Sequence, residues 1–165
     1  MRRRGFSVVE LTVTVAIVAV AAATALPYFG GMAARGKLRT ATRELLGHVA
    51  EARTLARSGR EGFAGWGEDD RVLQSGMRMV DTGSYEIFVD SNDTADGQGE
   101  VVVATHTVPE NYALEMSQTE IRFRRNGTLS TNQDVTLTLV HSGLKLKNRI
   151  EVSFGGRMKL VPVAD

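Results

Sequence analysis

No cysteine occurs among the 165 residues, and there are only three prolines and one tryptophan. Without cysteine, disulfides, thiolate metal sites and cysteine nucleophiles are all excluded together. The compartment stays open, because an oxidising compartment permits disulfides without requiring them. Few prolines beside 17 glycines, six phenylalanines and three tyrosines exclude a collagen-like or disordered chain and favour a globular one. The length fits one compact domain, or one domain with an appendage, and excludes a multidomain enzyme. There is no glycine-rich phosphate loop and no nucleophile elbow. His48, His106 and His141 lie far apart and fall in no metal-ligand spacing. The expectation is a chain that is not an enzyme and carries no cofactor, with His48 on the surface of a helix.

Nor is there an excess of charge of one sign: 20 Lys and Arg oppose 19 Asp and Glu. The balance conceals a segregation. Residues 1–59 carry +6, residues 60–120 carry −10 and residues 121–165 carry +5. Such asymmetry bears on partners rather than on fold. The acidic middle repels nucleic acid, and the basic last third attracts it.

What the sequence does have is a long apolar run. Arg2, Arg3 and Arg4 precede Gly5, and from Gly5 to Ala34 the only side chain charged at neutral pH is Glu10. A helix of ~20 apolar residues crosses the ~30 Å hydrocarbon core of a bilayer. Three arginines before the run place the N-terminus in the cytoplasm and everything after Arg35 across the membrane. A secretory signal peptide is one alternative, with Ala21-Ala22-Ala23 imitating its small-residue cleavage site. A plain anchor is another, but it leaves Glu10 unexplained. A carboxylate within hydrocarbon costs at least ~2.5 kcal/mol by insertion scales, which snorkelling to the headgroups reduces near the membrane edge.

The string Gly5-Phe6-Ser7-Val8-Val9-Glu10-Leu11, after a short basic leader and before a long apolar helix, resembles the processing site of type IV pilins and type II secretion pseudopilins. The resemblance implies that a prepilin peptidase cuts between Gly5 and Phe6 and methylates Phe6. It further implies that Glu10 meets the N-terminal ammonium of a neighbouring subunit and sets register during filament assembly. A buried carboxylate is tolerable when an ammonium neutralises it. Pro27 lies where many members of the family have a helix-kinking proline.

From Arg35 to Ser58 the helical pattern turns amphipathic. Leu38, Ala41, Leu45, Val49, Ala52 and Ala56 recur at spacings of three and four, Leu46 and Leu55 widen the stripe, and Gly59 reads as a stop. The remainder reads mostly as strands: residues 85–89, 101–103, 121–124, 135–139, 150–154 and 157–161, with Asn126-Gly127 and Gly155-Gly156 as turns and residues 59–70 as a connecting loop. The expected fold is α+β, a long N-terminal helix packed on a C-terminal antiparallel β-sheet domain of one or two sheets. The expected organisation is a leader over 1–5, a transmembrane half-helix over 6–34, an amphipathic half-helix over 35–58 and a periplasmic β-rich domain over 59–165. Helix-ending Glu51-Ala52-Arg53, the strand Ile87 to Asp90, and the segments Ile121 to Gly127 and Ile150 to Leu160 resemble the GspH/FimT class of minor pilins and pseudopilins. That resemblance implies a structural, assembly-initiating or tip subunit of a type IV pilus or type II secretion pseudopilus. Its partners are then other pilin subunits, prepilin peptidase and the bacterial inner membrane.

Two further patterns invite a binding role. Asp90-Ser91-Asn92-Asp93-Thr94-Ala95-Asp96-Gly97-Gln98-Gly99-Glu100 has oxygen ligands enough for Ca²⁺ but not the EF-hand order, and is read as a solvated hairpin loop with no metal. The basic residues Arg122, Arg124, Arg125, Lys145, Lys147, Arg149, Arg157 and Lys159 form a candidate phosphate-binding stripe for DNA. Strand alternation places Arg122 and Arg124 outward together, opposite Ile121 and Phe123. Gly156-Arg157-Met158-Lys159 resembles the glycine-plus-basic motif of DNA-binding FimT-type pilins, with Lys159 where a second arginine stands, so charge is kept and bidentate geometry lost. The bland alternative is charged outer strand faces.

Overall fold

One helix, α1 (Val8–Ser58), is followed by eight strands, in a computed structural model that describes residues 7–59, 72–92 and 99–162 apart from the side chains of 26–29 and 162. The chain divides into two compact units, Met1–Lys37 and Leu38–Asp165.

In the first unit α1 is capped by Ser7, whose Oγ accepts from the Val9 N–H at 3.3 Å. Serine at this position satisfies one of the donors that a helix start leaves free. The backbone stays helical across Pro27, Gly30, Gly31 and Gly36. Every side chain from Val8 to Thr24 is exposed, and one 18-residue window is long and apolar enough to cross a membrane. Its few hydroxyls are turned inward: Thr12 donates to the Val8 carbonyl at 2.8 Å and Thr14 to that of Glu10 at 2.7 Å. Hydroxyls satisfied by their own helix need no water.

In the second unit the rest of α1 lies against two four-stranded antiparallel sheets. Their strands are β1 (Gln74–Asp81), β2 (Ser84–Asp90), β3 (Glu100–Thr107), β4 (Tyr112–Met116), β5 (Glu120–Arg124), β6 (Val135–His141), β7 (Lys147–Val152) and β8 (Met158–Pro162). Sheet 1 has the order β3-β2-β1-β5 and sheet 2 the order β4-β6-β7-β8. The expected strands are there, with β7 starting earlier and Phe154 left in the turn. Strands β1 and β4 are additions, and much of the expected loop over 59–70 lies outside the described residues.

The amphipathic stripe is the cover for both sheets. Leu38, Ala41, Leu45, Val49, Ala52 and Ala56 are buried in one cluster with Met77, Tyr85, Ile87, Ile121 and Phe123 of sheet 1 and Leu114, Leu137, Leu139, Ile150 and Val152 of sheet 2. Each fully buried side chain of the larger kind contributes roughly 1.5–3 kcal/mol. Alternation within each strand sends the next residue to the opposite face, so the outer faces of the sheets receive the charged side chains.

Candidate functional site

Glu10 stands in the first turn of α1 and is exposed. A carboxylate there complements the positive end of the helix dipole and is also free to meet a cation from outside the chain. Gly5 and Phe6 lie outside the described residues, as does the side chain of Pro27.

The outer face of sheet 1 corrects the expectation for Arg122. Alternation does place it opposite Ile121 and Phe123, but that face is not open to water at this point: Arg122 is 6% exposed. The cause lies in the neighbouring strands. Gly76 is directly opposite Phe88 on one side and Arg122 on the other. A Cβ on Gly76 would sit 2.6 Å from the Phe88 ring, so only glycine leaves room for the ring and the guanidinium to meet over it. The Arg122 guanidinium lies 4.8 Å from the ring centroid, and Arg78 lies 5.4 Å from it. Carboxylates complete the cage. Arg122 donates to Asp90 at 2.9 Å, to Glu120 at 2.7 Å and to Glu100, while Arg78 donates to Glu100 at 3.0 Å and to Glu86 at 3.3 Å. Burial works against the charge of Arg122, yet hydrogen bonds to Glu120 and Glu100 raise its pKa above the ordinary value. Burial pushes the Asp90 carboxyl up, against the hydrogen bonds from Asn92 and Arg122 that favour its ionised form. Asp90 and Glu100, expected as ends of a solvated loop, are thus drawn onto one guanidinium. The segment between them, residues 93–98, lies outside the described residues.

The other basic candidates divide among three places. Lys147 and Arg149 of β7 and Lys159 of β8 share the outer face of sheet 2, because their cross-strand partners Val140, Thr138 and Glu151 point away from the buried Leu137, Leu139 and Ile150. Glu115 and Glu151 lie on the same face and dilute its charge. Arg157 is exposed in the β7–β8 turn and Lys145 in the β6–β7 turn. Arg124 and Arg125 are exposed at the end of β5, and Arg124 donates to the Ser130 carbonyl at 3.3 Å.

A residue with no assigned role in the sequence now acquires one. The Arg53 guanidinium donates to the carbonyl of Gly127 at 2.9 Å and of Gly155 at 3.5 Å. Gly127 follows β5 in sheet 1, and Gly155 turns β7 into β8 in sheet 2, so one side chain of α1 ties down a turn from each sheet. The turns also touch each other: Gly156 has φ +75°, and a Cβ there would fall 2.1 Å from the Gly127 carbonyl oxygen. Gly156, the glycine of the apparent motif, therefore has a packing reason to be there. The sequence signal for Arg53 was its place at the end of an amphipathic helix, within a segment that carries the family resemblance.

His48 also departs from expectation. It is half-buried rather than a surface residue, with Nδ1 2.7 Å from the Tyr85 hydroxyl, and its ring is stacked on His106. Two histidines far apart in sequence are thereby neighbours. Among the described residues no group of three or more His, Asp or Glu side chains is placed to hold a metal ion.

The arrangement can therefore do two things chemically: present an apolar half-helix to lipid or to other helices, and present charged outer sheet faces to a partner. Comparison with solved structures gives the same architecture. The chain is similar to the type IV minor pilin FimU of Pseudomonas aeruginosa, at 20% identity and a TM-score of 0.59 over 78% of this chain and 90% of that one. It is also similar to the minor pseudopilin EpsH of the type 2 secretion system of Vibrio cholerae, at 16% identity and a TM-score of 0.55 over 76% of this chain and 97% of that one. No curated protein sequence matches. The family model described as type II transport protein GspH matches residues 41–156, from the amphipathic half of α1 to the β7–β8 turn. That span is well over half of the chain, and the chain belongs to the GspH family of minor pilins and pseudopilins, structural subunits rather than enzymes.

Proposed function

We propose that this chain is the precursor of a minor subunit that initiates or caps a helical filament, a type IV pilus or a type II secretion pseudopilus. Prepilin peptidase cuts after Gly5 and methylates Phe6; residues 6–34 hold the product in the bacterial inner membrane with the β-rich domain in the periplasm. The observation that carries this reading is the first half of α1, apolar and exposed on every side from Val8 to Thr24, with its threonine hydroxyls bonded back to the helix. A helix apolar all round requires lipid or other helices around it. Glu10 is the one ionisable group in it, and pairing with the ammonium of a neighbouring subunit removes the cost of its charge in low dielectric. Pro27 loosens the backbone hydrogen bonding of the same segment and eases its transfer from bilayer to bundle.

The test is processing. Gly5→Val blocks cleavage in cells that assemble the filament, Gly5→Ala permits some of it, and intact mass distinguishes the full-length from the shortened chain. Normal processing of Gly5→Val would sink the reading.

A second reading, capture of DNA by the same subunit, is favoured by one observation: Lys147, Arg149 and Lys159 share an outer sheet face, with Arg157 exposed at its rim. Phosphate contacts make such binding fall steeply as salt rises. The full chain in detergent should bind duplex DNA with that salt dependence and lose it with Arg157→Ala combined with Lys159→Ala. Unchanged binding in the double variant removes these residues from the site.

A further inference from the structure

Filament packing and DNA capture leave unused a cluster of three rings between α1 and sheet 1. His48 of α1 places Nδ1 2.7 Å from the hydroxyl of Tyr85 in β2. Tyr85 is directly opposite His106 in β3, with ring centroids 5.5 Å apart. The His106 ring closes the triangle by stacking on His48, centroids 3.7 Å apart and planes inclined by 20°. These contacts join the helix to the sheet on its β2–β3 side.

Proton by proton, the cluster has two different capacities. Tyr85 is 4% exposed, and burial, together with the charge of Glu44, pushes its phenol up to about 12, so it stays neutral wherever histidine titrates. With His48 neutral, the Tyr85 hydroxyl donates to Nδ1. A proton on Nδ1 reverses that bond, Nδ1–H donating to the hydroxyl oxygen, and the contact survives. The second proton has no such accommodation. Nε2 of His106 is buried and has no hydrogen-bond partner among the described residues. A proton there creates a charged N–H without an acceptor, which is costly in an interior, and sets two imidazolium rings face to face. The surrounding charges are these: Glu44 and Glu51 of α1 favour a proton on His48, while Tyr85 of β2 brings none and His106 of β3 opposes it. Burial and then His106 prevail over the two carboxylates and lower the His48 pKa.

We propose that His48, Tyr85 and His106 form a proton-operated latch between α1 and sheet 1, closed while at most one of the two imidazoles is charged and forced apart when both are. Release is one-sided, because Asn148 of sheet 2 donates to the Thr42 hydroxyl at 3.1 Å and Arg53 holds one turn from each sheet, and neither amide, hydroxyl nor guanidinium changes charge near neutral pH. Acid therefore loosens the helix from the β2–β3 side while leaving it attached to sheet 2. For a histidine with a lowered folded-state pKa, the contribution to stability is whole above the unfolded value, ~6.5, and is lost as pH falls below it. The inference concerns the domain alone and does not depend on processing or on DNA.

The experiment follows denaturant unfolding of the full chain in detergent from about pH 7.5 to about pH 5, above the range of ordinary carboxylates. Two variants accompany it. His106→Phe keeps a stacked ring without a titrating nitrogen, and His48→Gln keeps an amide within reach of Tyr85. His141 is present throughout as a common background. The unfolding constant of the unaltered chain rises several-fold on acidification, and that rise shrinks in either variant. Equal pH dependence in the unaltered chain and in a folded variant overturns the latch. Carbon-labelled imidazole NMR on the unaltered chain tests it without substitution: the pair takes up its protons in two separated steps, and simultaneous uptake by His48 and His106 overturns it.

Discussion

Within α1, Val9, Leu11, Val13, Val15 and Ile17 are 54–71% exposed, whereas Leu38, Leu45, Val49, Ala52 and Ala56 are 4% exposed or less. Both stretches are apolar and both are helical, so neither helix propensity nor hydrophobicity separates them. The pattern does. In the second stretch apolar residues recur at three and four with Arg39, Arg43, Glu44 and Glu51 between them, which makes one wet face and one face for the sheets to cover. In the first, apolar residues run all the way round, so no single domain surface could satisfy them. The run is long and apolar enough to cross a membrane, and membership of the GspH family implies assembly with other pilin subunits.

The same acidic substitution in each stretch should have opposite consequences. Val49→Asp puts a carboxylate where the side chain has no access to solvent. A loss above ~4 kcal/mol follows, a large fraction of the ~5–15 kcal/mol that holds an ordinary domain. The denaturant midpoint of the full chain in detergent should fall accordingly, and a midpoint close to that of the unaltered chain would contradict the packing of α1. Val15→Asp should leave that midpoint in place and instead weaken membrane insertion by ~2.5–3.5 kcal/mol, the cost of an Asp near the centre of a spanning helix. Extraction of the variant from membranes at high pH reads that arm. Exchange of the two outcomes would mean that the halves had been assigned the wrong surroundings.

The same contrast shows why much of the fold was legible beforehand. The period of α1 and the alternation in β2, β5, β6 and β7 are properties of neighbours in sequence, and they translated directly into buried faces. Strand β1 escaped because its outer-face residues are Gln74, Gly76 and Arg78, and its inner face carries Ser75 and two methionines. Neither set looks like a strand until Phe88 and Arg122 are seen to meet over the glycine. Strand β4, Tyr112–Met116, has the apolar Ala113 between Tyr112 and Leu114, which blurs its alternation. Of the site, the apolar run and Glu10 were visible as composition. Arg53 and the His48–Tyr85–His106 cluster were not, since each depends on elements 37 to 102 residues apart in the chain. Arg122 was misjudged for a related reason: alternation says which face a side chain leaves from, not whether that face is covered.

Arg122 and Arg124 turn that last point into a measurement, with a smaller effect than the helix pair. They leave β5 on the same face two residues apart, one 6% exposed beneath a cage of carboxylates, the other exposed and bonded to a single backbone carbonyl. Arg122→Ala strands Asp90, which has no solvent exposure, and Glu100, 10% exposed at its side chain, with Arg78 reaching only the latter. Removal of one partner from a buried ion cluster costs ~3–5 kcal/mol, mostly from charge left without compensation. Arg124→Ala should stay within ~0.5 kcal/mol of the unaltered chain. A triple variant, Arg122→Met with Asp90→Asn and Glu100→Gln, separates the two sources of the loss. If stranded charge is the cause, the triple variant recovers most of the stability that Arg122→Ala removes; if the guanidinium is needed for its contact with Phe88, it recovers little. Equal effects of Arg122→Ala and Arg124→Ala would mean that the cage is open to water after all, and would return Arg122 to the basic residues available to a phosphate.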